Sequence, residues 1–466
     1  MRRAGYPRPN VAGVPRRAAL VALLAAALAG CGGSDALPAG FETVVQDDAL
    51  LLHRPTELSR TISTLRTLGV DRVRINATWS QIAPKPESAR RPDFDATDPD
   101  DYSPKAWLNL DRAVKAVTAG GLRPMVDVGF YAPRWAGGSR SPDPEELAGF
   151  AEALARRYPQ VRLWTVWNEP NHPFFMQPQW RDGVPVSAHT YRRMHELASE
   201  AIEGVSENNH VLLGGLTSMG GDGRGAVAPL RFLREMACVD SRLRPLRRPQ
   251  CEDFRPLKAD GFAMHPYVHR EPPTEPLPNP DDVGIADLGR LSRLLAALAA
   301  RGRIEGRLPV YVTEFGYETD PPDPRRGVSP PQQAAYLQEA VGEALARPDV
   351  RMHAQFLLRD LGDDGLYQTG LELPDGRPKP SLFSFPVSFT VRRGTGLGLV
   401  RPGRGRREVT IERRVQGGAW SAIARTTTDA DGVVRRPGMQ PGTYRLRWGR
   451  SASLPTSFGP GARAGS

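Results

Sequence analysis

The chain has 466 residues, 40% of them hydrophobic and 24% charged, which allows one barrel-sized domain with a smaller partner and excludes wholesale disorder. Beyond the extreme N-terminus no apolar run approaches the roughly 20 residues that span a bilayer, so a polytopic membrane protein is excluded. The formal net charge of +10 is uneven: residues 31–385 carry 42 basic and 48 acidic residues, residues 386–466 carry 15 arginines and 4 acids, and the large domain therefore lacks the basic face that would bind nucleic acid.

Residues 1–30 read as a targeting segment. Arg2, Arg3, Arg8, Arg16 and Arg17 give a positive start without acids, and residues 18–29 form an Ala/Leu/Val stretch of signal-peptide length. It ends in Leu28-Ala29-Gly30-Cys31, which resembles a bacterial lipobox. The resemblance implies cleavage before Cys31 and a diacylglycerol on its thiol. The expected product is an exported lipoprotein held to the cell membrane by its N-terminus, with plain secretion as the alternative. Residues 31–40 then form a linker. The two other cysteines, Cys238 and Cys251, lie 13 residues apart in an exported chain and are expected to form a disulfide.

From residue 41 onward, apolar runs alternate with amphipathic segments. Strands are expected over 41–45, 70–75, 123–128, 162–167, 211–216, 261–264, 308–313 and 352–357. Helices are expected over 56–68, 109–119, 144–157, 191–205, 229–236, 285–300 and 331–346. Pro144 followed by Glu145 and Glu146 is a strong helix start. Eight strand–helix units with continuously apolar strands predict an α/β fold, a (β/α)8 TIM barrel over residues 41–385. No GxGxxG follows a strand, which argues against an open nucleotide-binding sheet.

After residue 385 the helical signals vanish. Segments 407–413, 420–425, 432–435 and 443–448 are short, alternating and separated by glycine-rich turns. They predict a small β-sandwich over 386–450, with Trp420 and Tyr444 in its core, followed by a disordered tail over 451–466. The segment loosely resembles the Ig-like accessory domains of bacterial surface proteins. Its basic surface suits anionic wall polymers or lipid headgroups, or simply a solvated face.

Two segments carry chemistry. Trp164-Thr-Val-Trp-Asn168-Glu169-Pro170-Asn171 ends the fourth strand, and Val310-Tyr-Val-Thr-Glu314-Phe315-Gly316-Tyr317 ends the seventh. Each places a glutamate where an apolar strand stops, at the end of the barrel that carries active sites. Two opposed carboxylates suit acetal hydrolysis, one protonated to assist departure and one ionised to attack. The two motifs resemble the strand-four and strand-seven signatures of the clan A retaining glycoside hydrolases. The Asn-Glu-Pro-Asn form leans to family 39, with family 5 next. The resemblance spans roughly residues 40–385. It implies a retaining O-glycosidase acting on a poly- or oligosaccharide, with Glu169 as acid/base, Glu314 as nucleophile and Asn168 at the sugar 2-hydroxyl. A non-catalytic glycan-binding lipoprotein on the same fold and a transglycosylase are the other readings.

The same resemblance implies that Arg74, with Arg72 as the alternative, supports the nucleophile, and that His265 and Tyr267 line the sugar subsite. Aromatic residues near strand ends are natural sugar platforms. Trp79 and Trp135 lead that group, with Tyr131, Trp167 and Phe175 behind them and Phe130 beside Tyr131. One departure stands out: the clan's strand-eight tryptophan is replaced here by Gln355 or Phe356. His353 reads as structural. No cofactor is called for, the histidine spacing matches no metal motif, and a monomer is expected.

Overall fold

In the computed structural model, which describes residue 37 and residues 40–362, 367–402 and 405–459, eight parallel strands close into a barrel in chain order. They are β1 (Glu42–Gln46), β2 (Arg72–Ala77), β3 (Arg123–Val128), β4 (Leu163–Val166), β5 (His210–Thr217), β6 (Gly261–His265), β7 (Val310–Val312) and β8 (Val350–Phe356). The helices between them are α1 (Leu58–Leu68), α2 (Pro104–Ala119), α3 (Pro144–Arg157), α4 (Val186–Val205), α5 (Pro229–Met236), α6 (Leu288–Ala299) and α7 (Pro330–Leu345). Each expected strand and helix is met. The predicted signal segment and Cys31 lie outside the described residues. No helix among the described residues is long and apolar enough to cross a membrane.

Local chemistry explains the helix ends. Asp143 caps α3 by accepting from the backbone amides of Glu145 and Glu146 at 3.0 Å each, with Pro144 at the first position and Arg156 and Arg157 in the last turn. α2 begins five residues before its expected start, because Pro104 sets the first turn and Trp107 and Leu110 extend the buried stripe backwards. α4 likewise begins at Val186, where small buried side chains, Ser187 and Ala188, continue the packed face.

Strand alternation sorts the barrel into an inside and an outside. Val44, Met125, Leu163, Leu212, Ala263, Tyr311, Met352 and Ala354 pack together in the interior. Val45, Val73, Ile75, Val126, Val128, Trp164, Val166, Leu213, Phe262 and Val312 join the larger core with the helices. Above and below the apolar plug, the inward positions turn polar. At the N-terminal end Arg72 donates to Glu42 at 2.8 Å. At the C-terminal end the register sets Gln46 beside Arg74 and Asn76 beside Asp127. The plug therefore carries a polar layer at the mouth where the strand-end glutamates lie.

Beyond β8 the chain runs through a loop pinned by a buried ion pair. Lys379 Nζ lies 2.7 Å from Asp360 Oδ2 and donates to Thr319 Oγ1 and the Gln368 carbonyl at 2.9 Å. A single helical turn, Pro380–Ser384, leads into the C-terminal region. There β9 (Val387–Arg392), β10 (Thr395–Val400) and β13 (Val433–Pro437) form one antiparallel sheet. β11 (Glu408–Arg414), β12 (Trp420–Thr427), β14 (Gly442–Trp448), β15 (Ser451–Ala452) and β16 (Thr456–Phe458) form the other. β9 and β10 were missing from the sequence reading.

Two expectations are corrected here. The first part of the supposed disordered tail is ordered, because β15 and β16 both pair with β14. Tyr444 is in the sandwich core, whereas Trp420 is half-buried beneath the Arg445 guanidinium, 4.4 Å from its ring. The sandwich docks on α7. Gln338 exchanges two hydrogen bonds with the backbone of Leu454. Gly342 allows the close approach, since a Cβ there would lie 2.1 Å from Thr390 Oγ1.

Cys238 and Cys251 are disulfide-bonded, with Cα atoms 5.7 Å apart. The bond closes the arginine-rich loop after α5. Replacing both cysteines with serine is expected to lower the unfolding free energy by about 3 kcal/mol, the entropy released to an unfolded chain by opening a loop of that size. Urea unfolding of the double variant against the wild type measures the loss.

Candidate active site

β4 ends at Val166, and the backbone then turns sharply. Trp167 and Glu169 both adopt left-handed conformations, with φ of 66° and 40°, which cost about 1–3 kcal/mol each for residues other than glycine. Neighbouring strands hold the turn in place. The Trp167 amide donates to the Val128 carbonyl at 2.9 Å, and the Glu169 amide to the Gly215 carbonyl at 3.0 Å. Asn171, fully buried, donates to the carbonyls of Thr217 and Val227 and accepts from the Thr217 amide. The first half of the Asn168-Glu169-Pro170-Asn171 motif thus faces the mouth, and its last residue pins the backbone. β5 accommodates the turn at Gly214 and Gly215, with φ of 110° and 67°, where its register with β6 shifts. A side chain on Gly214 would meet the Ala263 carbonyl at 2.5 Å.

Glu314 enters from the opposite side, two residues past β7. Its Oε1 accepts from the Tyr267 phenol at 2.9 Å, and its Oε2 from Arg74 Nη1 at 3.0 Å. Arg74 is buried and serves several partners at once. It donates to Asn168 Oδ1 at 3.2 Å and to Gln46 Oε1, and lies 3.5 Å from Asp127 Oδ1. Arg72, two residues back on the same face, is committed to Glu42 at the far end of the barrel. Arg74 is therefore the strand-two arginine at the mouth.

His265 ties the two glutamates together. Its Nδ1 lies 3.1 Å from Glu169 Oε1 and 3.8 Å from Glu314 Oε2. Those two oxygens can be separated by no more than the sum of these distances, about 6.9 Å. One oxygen of each carboxyl therefore lies near the other's at the barrel mouth, within a bound that includes the retaining separation of ~5–5.5 Å and the shortest of the inverting ones, ~6.5–9.5 Å.

The electrostatics are asymmetric. Burial pushes Glu169 up to about 7, only partly offset by the charges of His172 and Arg74 and the Thr217 hydroxyl. Burial pushes His265 down to about 4. Its imidazole is neutral near pH 7, and its contact with Glu169 is a hydrogen bond rather than an ion pair, while Glu314 lies beyond hydrogen-bond distance. Asp127, which accepts from Thr165 Oγ1 at 2.5 Å, is raised to about 6 by burial against the pull of Arg74. Burial and the adjacent Glu314 both hold the Tyr267 phenol in its protonated form.

The structure thus brings Glu169, Glu314, Arg74, Asn168, His265 and Tyr267 together. It does not do the same for the tryptophans. Trp79 is 1% exposed, stacks on Phe150 and meets Trp135 edge-on at 6.1 Å. Trp135 packs against Phe94 and donates to the Pro84 carbonyl. Both belong to the packing behind β2 and β3, so their expected role as sugar platforms is not met. Trp167 is buried too, with its Nε1 on the Phe175 carbonyl. Gln355 is pinned by its amide to the carbonyls of Phe356, Leu357 and Thr369. Phe356 and Tyr367, their rings 5.6 Å apart, occupy the end of β8. His353 is buried against Phe315.

Four residues of this layer escaped sequence reasoning. Asp127 carried a signal, a single acid inside an apolar strand. Gln46 and Asp48 sit in the polar step that ends β1, and Asp48 accepts from both the amide and the side chain of Asn76. Tyr367, 41% exposed, lies where the charges of both glutamates reach it, and nothing local in its sequence marks it. Among the described residues, the grouping with ligand-like spacing is His189 with Cys238 and Cys251, and both sulfurs are already bonded to each other.

Comparison with known proteins agrees with this architecture. The family model for cellulase (glycosyl hydrolase family 5) matches residues 34–327. No curated protein matches the chain. Among solved structures, a family 39 glycoside hydrolase from the gut symbiont Bacteroides cellulosilyticus WH2 is 17% identical, with a TM-score of 0.51 over 87% of this chain and 80% of that one. A family 1 β-glucosidase from Thermotoga maritima is 14% identical, with a TM-score of 0.50 over 74% of this chain and 97% of that one. These likenesses show the barrel fold, including that of the family toward which the strand-end motifs leaned. The family match covers both glutamate-bearing strand ends, and the chain belongs to the cellulase family of glycoside hydrolases, glycosyl hydrolase family 5.

Proposed function

We propose that the protein is a retaining O-glycosidase that works by double displacement, with Glu314 as nucleophile and Glu169 as acid/base. The observation that carries this reading is the shared contact of His265 Nδ1 with both carboxyls, which keeps them within about 6.9 Å over one hollow. The asymmetry of their surroundings supports the division of labour. Glu314 accepts from a guanidinium and a phenol, which hold its carboxyl in one orientation. Glu169 lacks such a cation partner, and burial favours its protonated form near neutrality.

The steps follow. A Glu314 oxygen attacks the anomeric carbon as the bond to the leaving oxygen breaks, and that oxygen takes the proton of Glu169. The product is a glycosyl ester on Glu314. The Glu169 carboxylate then removes a proton from water, whose oxygen attacks the anomeric carbon and releases Glu314. Asn168, held by Arg74, is the group that meets the 2-hydroxyl. We further propose that the barrel is exported and tethered through lipid on Cys31, on the strength of the basic segment, the apolar stretch and Leu28-Ala29-Gly30-Cys31.

Glu314→Gln should lose detectable turnover on an aryl glycoside panel, and a 2-fluoro glycoside should label the wild type at Glu314, as read by peptide mass spectrometry. For the wild type, kcat/KM should fall as pH rises through about 7, because Glu169 must carry its proton to donate it. Glu169→Gln should erase that alkaline limb and cost about 10²–10⁴-fold on substrates with poor leaving groups. Arg74→Met should cost about 3–5 kcal/mol in urea unfolding at pH 7, since it leaves Asp127 and Glu314 without their cation. The loss should be smaller at pH 5, where Asp127 binds a proton and needs no counter-charge.

A further inference from the structure

The two halves of the mouth differ in chemistry. From β6 and β7, Tyr267 and Glu314 join Arg74 of β2 and Asn168 after β4 in a hydrogen-bonded set of polar groups. On the side of β3 and β4, four aromatic rings form a continuous run. Phe130 meets Tyr131 at 4.7 Å and Phe175 at 5.4 Å, while Phe174 meets Phe175 at 4.9 Å and Tyr131 at 6.2 Å. Phe174 is 52% exposed, and the other three are half-buried.

The loop bearing Phe174 and Phe175 springs directly from Glu169. The His172 amide closes back on the Glu169 carbonyl at 2.8 Å, and Trp167 anchors the Phe175 carbonyl. Two polar side chains of the loop are engaged within it. His172 Nδ1 accepts from the Phe174 amide, and the Gln177 side chain donates to the Pro173 carbonyl. What remains to face a ligand is ring carbon, with the Tyr131 hydroxyl as the polar group among the four rings. Phe130 and Tyr131 follow the C-terminal end of β3, and Phe174 and Phe175 lie five and six residues past Glu169, which puts the aromatic run at the same end of the barrel as the acids.

A leaving group lies on the side of the acid that protonates it. His265 fills the β6 side of Glu169, so the departing portion runs out over the β3 and β4 loops. We infer that the leaving-group subsite is the Phe130–Tyr131–Phe174–Phe175 surface, and that it takes an apolar aglycone, aryl or alkyl, rather than a second sugar. This rests on the assignment of Glu169 as the acid. A second sugar could lay one C–H face on these rings, but its hydroxyls would leave water for three phenylalanines that offer them no partner, whereas an alkyl or aryl group gains over its whole surface by leaving water.

The test compares methyl, octyl and 4-nitrophenyl glycosides of one sugar, chosen by a 4-nitrophenyl panel, with the disaccharide of that sugar. The wild type should favour the octyl over the methyl glycoside in kcat/KM by about tenfold or more, and should cleave the disaccharide worse than either aglycone-bearing substrate. Phe174→Ala should lower the octyl-to-methyl ratio about tenfold, and Phe174→Leu should restore most of it. Phe130→Ala, in the next ring, serves as a second variant should the first fail to fold. An octyl-to-methyl ratio unmoved by both alanine variants, or a disaccharide preferred over the octyl glycoside, overturns the inference. Calorimetric binding of octyl and methyl glycosides to Glu314→Gln repeats the comparison without turnover. An octyl preference there with no hydrolysis by the wild type would sink the enzymatic assignment and leave the apolar subsite standing.

Discussion

The mouth of this barrel is organised around one buried cation. Arg74 stands on β2 inside a ring of parallel strands, where a lone guanidinium would be very costly to desolvate. It is tolerated because Glu314 and Asp127 converge on it and because Gln46 and Asn168 take further donors. The same contacts fix three functional directions at once. They aim the strand-seven glutamate, orient the strand-four asparagine, and join β1, β2, β3, β4 and β7 in one polar layer above the apolar plug.

From that layer follows the difference between the two glutamates. Both stand at strand ends and face one hollow, yet only Glu314 is held by Arg74 and Tyr267. Glu169 is set on a strained turn, mostly withdrawn from water, with a neutral imidazole beside it. Desolvation without a direct cation partner favours the protonated acid, and a guanidinium contact favours the carboxylate. The fold thus sets two groups of identical chemistry in different surroundings, Glu314 on a guanidinium and a phenol and Glu169 on a neutral imidazole. The strain at Trp167 and Glu169 is borne by the strands on either side and by the buried Asn171, so the turn is part of the barrel rather than a flexible loop.

The surroundings of the hollow extend the contrast. One part of them is a hydrogen-bonded set built on Arg74 and Glu314, and the loop after Glu169 is aromatic. Asp360 and Lys379 close the β8 loop on the other flank, which brings Tyr367 to the opening in a place that Phe356 alone would not fill. The sandwich takes no part in this layer. Its described contacts fall on α7 and the outer face of the barrel.

Much of this was legible in the chain itself. Continuous apolar runs of strand length, alternating with amphipathic stretches, can be satisfied by few folds other than a closed parallel barrel, because both faces of each strand must be covered. A glutamate at the end of such a run then has to lie at the barrel mouth, so Glu169, Glu314, Arg74, His265 and Tyr267 could be read from position and motif. The disulfide was legible from cysteine spacing and the expected export. Tertiary structure decided which side chains share a contact. Trp79 and Trp135 sit near strand ends yet turn into the helical layer, since a large ring gains more from packing against Phe150 and Phe94 than from standing in water. Asp127 and Gln46 gained meaning only when strand register set them beside Arg74, and Tyr367 only when a loop with no periodicity was folded over the opening. Strand and helix periods are local properties of a sequence, whereas the pairing of charges and the facing of rings depend on distances between segments tens to hundreds of residues apart, and those distances exist only in the closed barrel.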